Sequence, residues 1–370
     1  SCALPRIIKY PLAFHVERTM KEVAIITQNW KCGVGHGTFA SNLLAYLPTV
    51  AKKQGIEVSI VSIKPLFELK IREKKVGGYI TIWPVRYLKH PKAKIVHALD
   101  AYLATPNTRL ITLLDLAPLR FPELYLGSAS ARMEWKYRKK MLMKARMLTS
   151  ISQFSKNEAK RILGISDERI KVIPLGVNHQ NFFVERVATK WNQAGKINLV
   201  TAGNNDPRKN FPLVVKAVGF LQEMGKNVNF VRFGPSDWPL ETERIRKTAK
   251  ESNVRLIEPG VVGVDVLRKV YSTCDVFIWP SIYEGMGLPP LEAMACGAKV
   301  VALDTEFNRE FLGDVPVYVK NDPKEMAEGI LEALKMDIGR RGILQARKYT
   351  WEKCVHAHVQ LYQKLLREWT

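Results

Sequence analysis

The stretch YEGMGLPPLEAMACG, Tyr283 to Gly297, comes just after the apolar run Val276-Phe277-Ile278-Trp279. That run has the length and uniform hydrophobicity of a buried parallel strand. Gly285 and Gly287, on either side of Met286, make a tight loop, and Pro289 to Cys296 reads as the helix after it, with Gly297 as its C-terminal cap. In open α/β sheets ligands bind outside the carboxyl ends of strands, where helix N-termini offer unpaired N–H groups. Glu284 closes the strand end and Glu292 falls in the first helical turn, so two carboxylates bracket the expected pocket. Taken alone, they would be a solvated loop acid and a helix-start acid favouring the macrodipole by about 0.3–1 kcal/mol. The glycines tip the balance, because bare backbone is needed where a ligand approaches closely or φ is positive.

The alternation of strand and helix extends in both directions. Ile197 to Thr201, Asn229 to Phe233, Arg255 to Ile257 and Lys299 to Ala302 read as further strands of the same sheet. The first of them ends in Gly203-Asn204-Asn205-Asp206-Pro207-Arg208-Lys209-Asn210, and a helix follows from about Phe211 to Met224. Arg208 and Lys209 at a strand-to-helix turn suit a diphosphate, each charge-assisted hydrogen bond contributing about 1.5–3 kcal/mol; elsewhere such a pair is simply solvated. Upstream, Lys21 to Thr27, Val58 to Ile63, Tyr79 to Trp83, Ile95 to His97, Leu110 to Leu114, Met147 to Ile151 and Ile170 to Ile173 read as an earlier set of parallel strands. Gly33-Val34-Gly35-His36-Gly37 feeds a helix from Thr38 to about Lys53, but these glycines alternate too closely for the dinucleotide fingerprint. The expected fold class is α/β, with two Rossmann-like doubly wound parallel-sheet domains facing across a cleft. The first spans residues 20–184 and the second 196–351, with 185–195 as linker. Residues 1–19 lack periodicity and any cleavage pattern of a signal peptide; a misassigned start or a short arm both suit them.

A chain of 370 residues with 46% hydrophobic content builds two full cores. No apolar run nears the roughly 20 residues of a membrane span. The cysteines Cys2, Cys32, Cys274, Cys296 and Cys354 are scattered without a C-x-x-C pair, which suits reduced thiols in a cytoplasmic protein. Nothing has metal-ligand spacing, so neither a metal nor a resident cofactor is implied. The formal net charge is +22. Residues 1–195 carry 32 Lys+Arg against 13 Asp+Glu, and residues 196–370 carry 25 against 22. That asymmetry suits an anionic membrane surface or lipid-linked partner for the first half, or else a solvated lysine-rich surface. The helix from about Ala129 to Arg146, with Trp135, Lys136, Arg138, Lys139, Lys140 and Lys144, carries much of it. No nucleic-acid motif accompanies the charge, so no nucleic-acid partner is expected.

With these residues in hand, the chain resembles the retaining GT-B glycosyltransferases of family 4, the glycosyl transferases group 1, from about Lys21 to the end. Glu284-x7-Glu292 within EGMGLPPLEAMACG carries the resemblance, with DPRKN (Asp206 to Asn210), SQFSKNEAKRILGI (Ser152 to Ile165), VIPLGVNHQNF (Val172 to Phe182) and DLAPLRFPELY (Asp115 to Tyr125) in support. The resemblance implies a metal-independent transfer of a sugar from a nucleotide-sugar, bound by the second domain, to a glycan, lipid-linked or membrane-associated acceptor at the first. Glu284 would hold sugar hydroxyls, helped by the backbone of Gly285, Met286, Gly287 and Leu288. Glu292 would accept from the ribose, and Arg208 and Lys209 would neutralise the leaving diphosphate, with Gly203 and Gly35 close to it. Phe233-Gly234 and the turn at Val261 would line the base. The last helix, about 352–370, would cross back onto the first domain.

Two positions depart from the pattern. Asn204 stands where many relatives have arginine, and Leu114 stands where they have a histidine that positions the sugar. Leucine offers no hydrogen bond, and Asp115 is the nearest replacement. The expected activity is a hexosyltransferase-type reaction; a non-catalytic GT-B nucleotide-sugar-binding protein and a nucleotide-sugar epimerase are the alternatives.

Overall fold

A computed structural model describes residues 21–28, 35–63, 67–72, 77–82 and 93–369. The extension 1–19, Gly33 and Val34 lie outside them. The strands are β1 (Lys21–Gln28), β2 (Val58–Ile63), β3 (Phe67–Arg72), β4 (Gly77–Ile82), β5 (Ala93–Ala98), β6 (Leu110–Leu113), β7 (Met147–Ser150) and β8 (Ile170–Val172) in the first half. In the second half they are β9 (Ile197–Ala202), β10 (Val228–Phe233), β11 (Leu256–Gly260), β12 (Val276–Trp279), β13 (Val300–Leu303) and β14 (Val317–Val319). Two six-stranded parallel sheets result, ordered β2-β1-β5-β6-β7-β8 and β11-β10-β9-β12-β13-β14. Each reverses direction beside its first strand, the switch point where α/β sheets open a crevice.

One expected strand sits elsewhere. Tyr79 to Ile82 belongs to β4, which pairs antiparallel with β3 in a separate two-stranded sheet; Trp83 lies outside the described residues. The pairing partner FELKIR and the glycines Gly77-Gly78 make a local hairpin, so these residues never join the parallel ladder.

The helices are α1 (Gly35–Lys53), α2 (Ala117–Arg120), α3 (Pro122–Tyr125), α4 (Ala129–Lys144), α5 (Gln153–Leu163), α6 (Phe211–Glu223), α7 (Pro239–Glu251), α8 (Val264–Thr273), α9 (Leu288–Ala295), α10 (Glu306–Leu312), α11 (Pro323–Lys335), α12 (Gly339–Ala346) and α13 (Trp351–Trp369). The chain passes twice between the halves, and the two passages touch. Val177 bridges Thr350, and a Cβ on Gly176 would fall 2.2 Å from the Trp351 nitrogen. Beyond that crossing α13 packs on α1 and on β5. A buried polar chain ties it down: Tyr362 Oη lies 2.7 Å from His97 Nδ1, His97 Nε2 lies 2.9 Å from Thr112 Oγ1, and Thr112 lies 2.8 Å from Thr149. His358 stacks on His97, and burial lowers its pKa to about 4.

Candidate functional site

The carboxyl ends of β9 and β12 meet at the crevice of the second sheet. Gly203 and Gly234 end β9 and β10 with φ of 137° and 123°, and a Cβ on Gly234 would fall 2.2 Å from the Gly203 carbonyl oxygen. Only glycine tolerates that approach. Arg232, fully buried, braces the same loops: it donates to Gly203 O at 3.3 Å and to Glu258 Oε1 at 2.7 Å. From there Asp206 caps a short 3₁₀ turn, Pro207–Lys209, by accepting the Arg208 N–H at 3.1 Å. The turn aims two cations back over the strand ends.

Lys209 is buried, with its Nζ 4.7 Å from the centre of the Trp279 ring and 2.6 Å from Glu284 Oε1. Ser281 Oγ donates to the same carboxylate oxygen at 2.5 Å. Arg208 stands 3.4 Å from Glu284 Oε2, 3.2 Å from Asp115 Oδ2 and 3.3 Å from Asp206 Oδ2. Burial opposes the charge of Arg208, but Glu284, Asp115 and Asp206 outweigh it and hold the guanidinium protonated above its ordinary range. Tyr125 donates to Asp206 Oδ1 at 2.5 Å. One buried and one partly buried cation thus meet three carboxylates contributed by both halves, a pattern that gives a ligand anion and ligand hydroxyls separate partners.

The loop after β12 explains its glycines differently from the sequence. A Cβ on Gly285 would fall 2.0 Å from the Leu114 carbonyl oxygen, so the first glycine is required by the approach of the other half of the chain. A Cβ on Gly287 would fall 3.2 Å from each of Trp279, Phe311 and Pro290. Met286 and Leu288 are buried in the core. α9 begins at Leu288, one residue earlier than expected, so Glu292 is its fifth residue, just past the first turn expected for it. Among the described residues no hydrogen bond or ion pair reaches its carboxylate, and burial raises its pKa to about 7. Phe233 turns its ring into the core against Trp191, leaving backbone at the strand end, whereas Val261 is exposed in the turn after β11. Gly35 opens α1.

Three contributors escape a reading of the sequence by motif glycines and charges. Tyr125 and Asp206 sit inside quoted motifs, yet only the fold brings them together. Glu310 of α10 accepts from the Gln153 and Phe154 N–H groups at 2.6 and 2.8 Å and so caps α5 of the opposite half. Beside Arg208 a cavity of about 170 Å³ opens against the first half, reaching Leu114, Asp115, Tyr125 and Trp135.

Residues 185–350 match the family described as glycosyl transferases group 1. An O-antigen chain mannosyltransferase B from Escherichia coli is 26% identical over 382 residues, spanning 97% of this chain and 98% of that protein. A serotype-specific mannosyltransferase from Escherichia coli is 27% identical over 270 residues, spanning 68% of this chain and 33% of that protein. The sucrose-phosphate synthase of Thermosynechococcus elongatus superposes with a TM-score of 0.73 at 18% identity, covering 94% of this chain and 100% of that one. The fold is GT-B.

Proposed function

We propose that the protein transfers mannose from a nucleotide-sugar to a hydroxyl of a glycan or lipid-linked acceptor, with retention at the anomeric carbon. The observation that carries this reading is the buried Lys209–Glu284 pair at 2.6 Å with Arg208 beside it. One member suits a departing diphosphate and the other suits sugar hydroxyls, within a single contact. The names of the two mannosyltransferases support the choice of sugar.

As the bond from C1 to the diphosphate breaks, positive charge develops on the ring and negative charge on the leaving oxygen. Arg208 and Lys209 stabilise that oxygen, which is the dominant catalytic contribution in this scheme. The acceptor oxygen bonds C1 on the face just vacated, and its proton passes to the departing diphosphate. Asp115, held by Arg208 and by the Ala117 N–H at 3.0 Å, faces the cavity where that acceptor oxygen would lie. Glu292 accepts from the ribose.

The exposed side of α4 presents Met133 and Met143 among Lys136, Lys139, Lys140 and Lys144, which suits an anionic bilayer holding the acceptor. Flotation with anionic but not neutral vesicles is expected, and equal recovery with both would remove the membrane from the account. A second reading, a GT-B protein that binds nucleotide-sugar without turning it over, is favoured by Leu114. Thermal stabilisation across a panel of nucleotides and nucleotide-sugars tests the shared premise. A bound ligand at about 100 times its Kd adds roughly 2.7 kcal/mol, and no response to any nucleotide-sugar would overturn both readings.

A further inference from the structure

A groove of about 570 Å³ lies between the halves, floored by Phe121 and Phe154 of the first and Tyr283 and Phe307 of the second. The rings are locked edge to face, with Phe121 and Phe154 at 5.5 and 5.4 Å from Tyr283, so the floor is a fixed apolar platform. Its polar wall is unusual. Glu158 is 7% exposed, and Arg161 directs both Nε and Nη2 onto its Oε1, at 2.9 and 2.6 Å. Oε2, also buried, has no hydrogen-bond partner. Buried acceptors are nearly always satisfied, and the side chain that carries this one lines an open groove.

The ligand chemistry follows from the lining. Arg120 and Arg161 balance Glu158 and Glu306, so the groove has no net attraction for a phosphate or an acidic headgroup. An apolar platform with hydrogen-bonding groups at its edge matches the two aspects of a sugar ring, C–H face and hydroxyl rim. The groove also continues from the site already described. Tyr283 directly precedes Glu284, and α2 has Ala117 and Pro118 on the cavity beside Arg208 while Arg120 lies on the groove.

We propose that this groove is a second glycan subsite, holding a sugar of the acceptor remote from the reacting hydroxyl, with a hydroxyl of that sugar donating to the Glu158 carboxylate, whose Oε2 turns toward the groove to meet it. The assignment rests on the reading of the protein as a sugar transferase, and the test separates the two. α-Mannotriose and a nucleotide-mannose are each titrated by calorimetry into the wild type, Glu158→Gln and Phe121→Ala. Mannotriose should bind the wild type and lose about tenfold or more in Glu158→Gln, the loss expected for one hydrogen bond to a charged group. A loss of similar or greater size is expected for Phe121→Ala. Wild-type nucleotide-mannose affinity in both variants shows that they fold. Mannotriose affinity equal in all three proteins, or none for the wild type, overturns the subsite. Mannotriose binding that depends on Glu158 without any nucleotide-mannose binding supports the groove and sinks the donor reading instead.

Discussion

Replacing Lys209 with methionine removes the charged Nζ that lies 4.7 Å from the Trp279 ring centre while nearly preserving the aliphatic stem. Two separable effects follow. Glu284 is left with the Ser281 hydroxyl at 2.5 Å and Arg208 at 3.4 Å, so it remains partly paired. Removing one partner of a buried pair costs about 3–5 kcal/mol when nothing replaces it; with these two partners left, about 1–3 kcal/mol is expected. Melting should therefore fall by only a few degrees. The kinetic effect is larger, because a preorganised charge at the leaving group is worth about 10²–10³ in rate. Release of nucleoside diphosphate from nucleotide-mannose, measured as initial rates in a coupled assay, should drop by about that factor at saturating donor. Lys209→Arg should recover part of the rate, limited by the space between Trp279 and Gly203. A Lys209→Met rate within threefold of wild type, in a protein that still melts cooperatively, would refute the assignment of leaving-group stabilisation to this residue.

Other perturbations test neighbouring steps. Gly285→Ala drives a Cβ to 2.0 Å from the Leu114 carbonyl, so the halves must separate locally; transfer should fall at least about 10²-fold while each sheet survives, seen as retained far-UV circular dichroism. Folded Glu292 keeps its proton to about pH 7 against an ordinary value of 4.5, so the folded state binds more protons between those limits and stability falls as pH rises through them. Glu292→Gln should therefore raise stability by roughly 3 kcal/mol at pH 8, leave it unchanged at pH 4 and weaken nucleotide binding; chemical denaturation at both pH values checks it. His358 has the opposite sign. Its pKa is lowered from 6.5 to about 4, so its contribution is present above pH 6.5 and is lost as pH falls toward 4. His358→Leu should flatten that acid limb, as followed by thermal melts.

The parallel sheets were legible because their strands are uniform apolar runs bounded by glycine, and burial on both faces leaves that signature. The run around Tyr79 has a similar composition, but pairing is decided by the neighbouring strand Phe67–Arg72, whose alternating charges give it no such signature. β14 is too short, at 3 residues, to register as periodicity. At the site, local spacing and the resemblance singled out Glu284, Arg208 and Lys209, which the fold brings within one set of contacts. It offered no view of Ser281, Tyr125 or Glu310, whose roles depend on partners in distant segments. Gly285 is the instructive position: its need for a bare backbone was readable, while the cause, a carbonyl 171 positions earlier in the chain at Leu114, was not.

The central claim is that Glu284 grips the sugar of a nucleotide-sugar whose diphosphate leaves against Arg208 and Lys209. Turnover of radiolabelled nucleotide-mannose by wild type and by Glu284→Gln, with and without a mannose-terminated acceptor, tests it most directly. The account predicts acceptor-stimulated release in the wild type and a loss of about 10²-fold or more in Glu284→Gln. Equal turnover by the two proteins would contradict it.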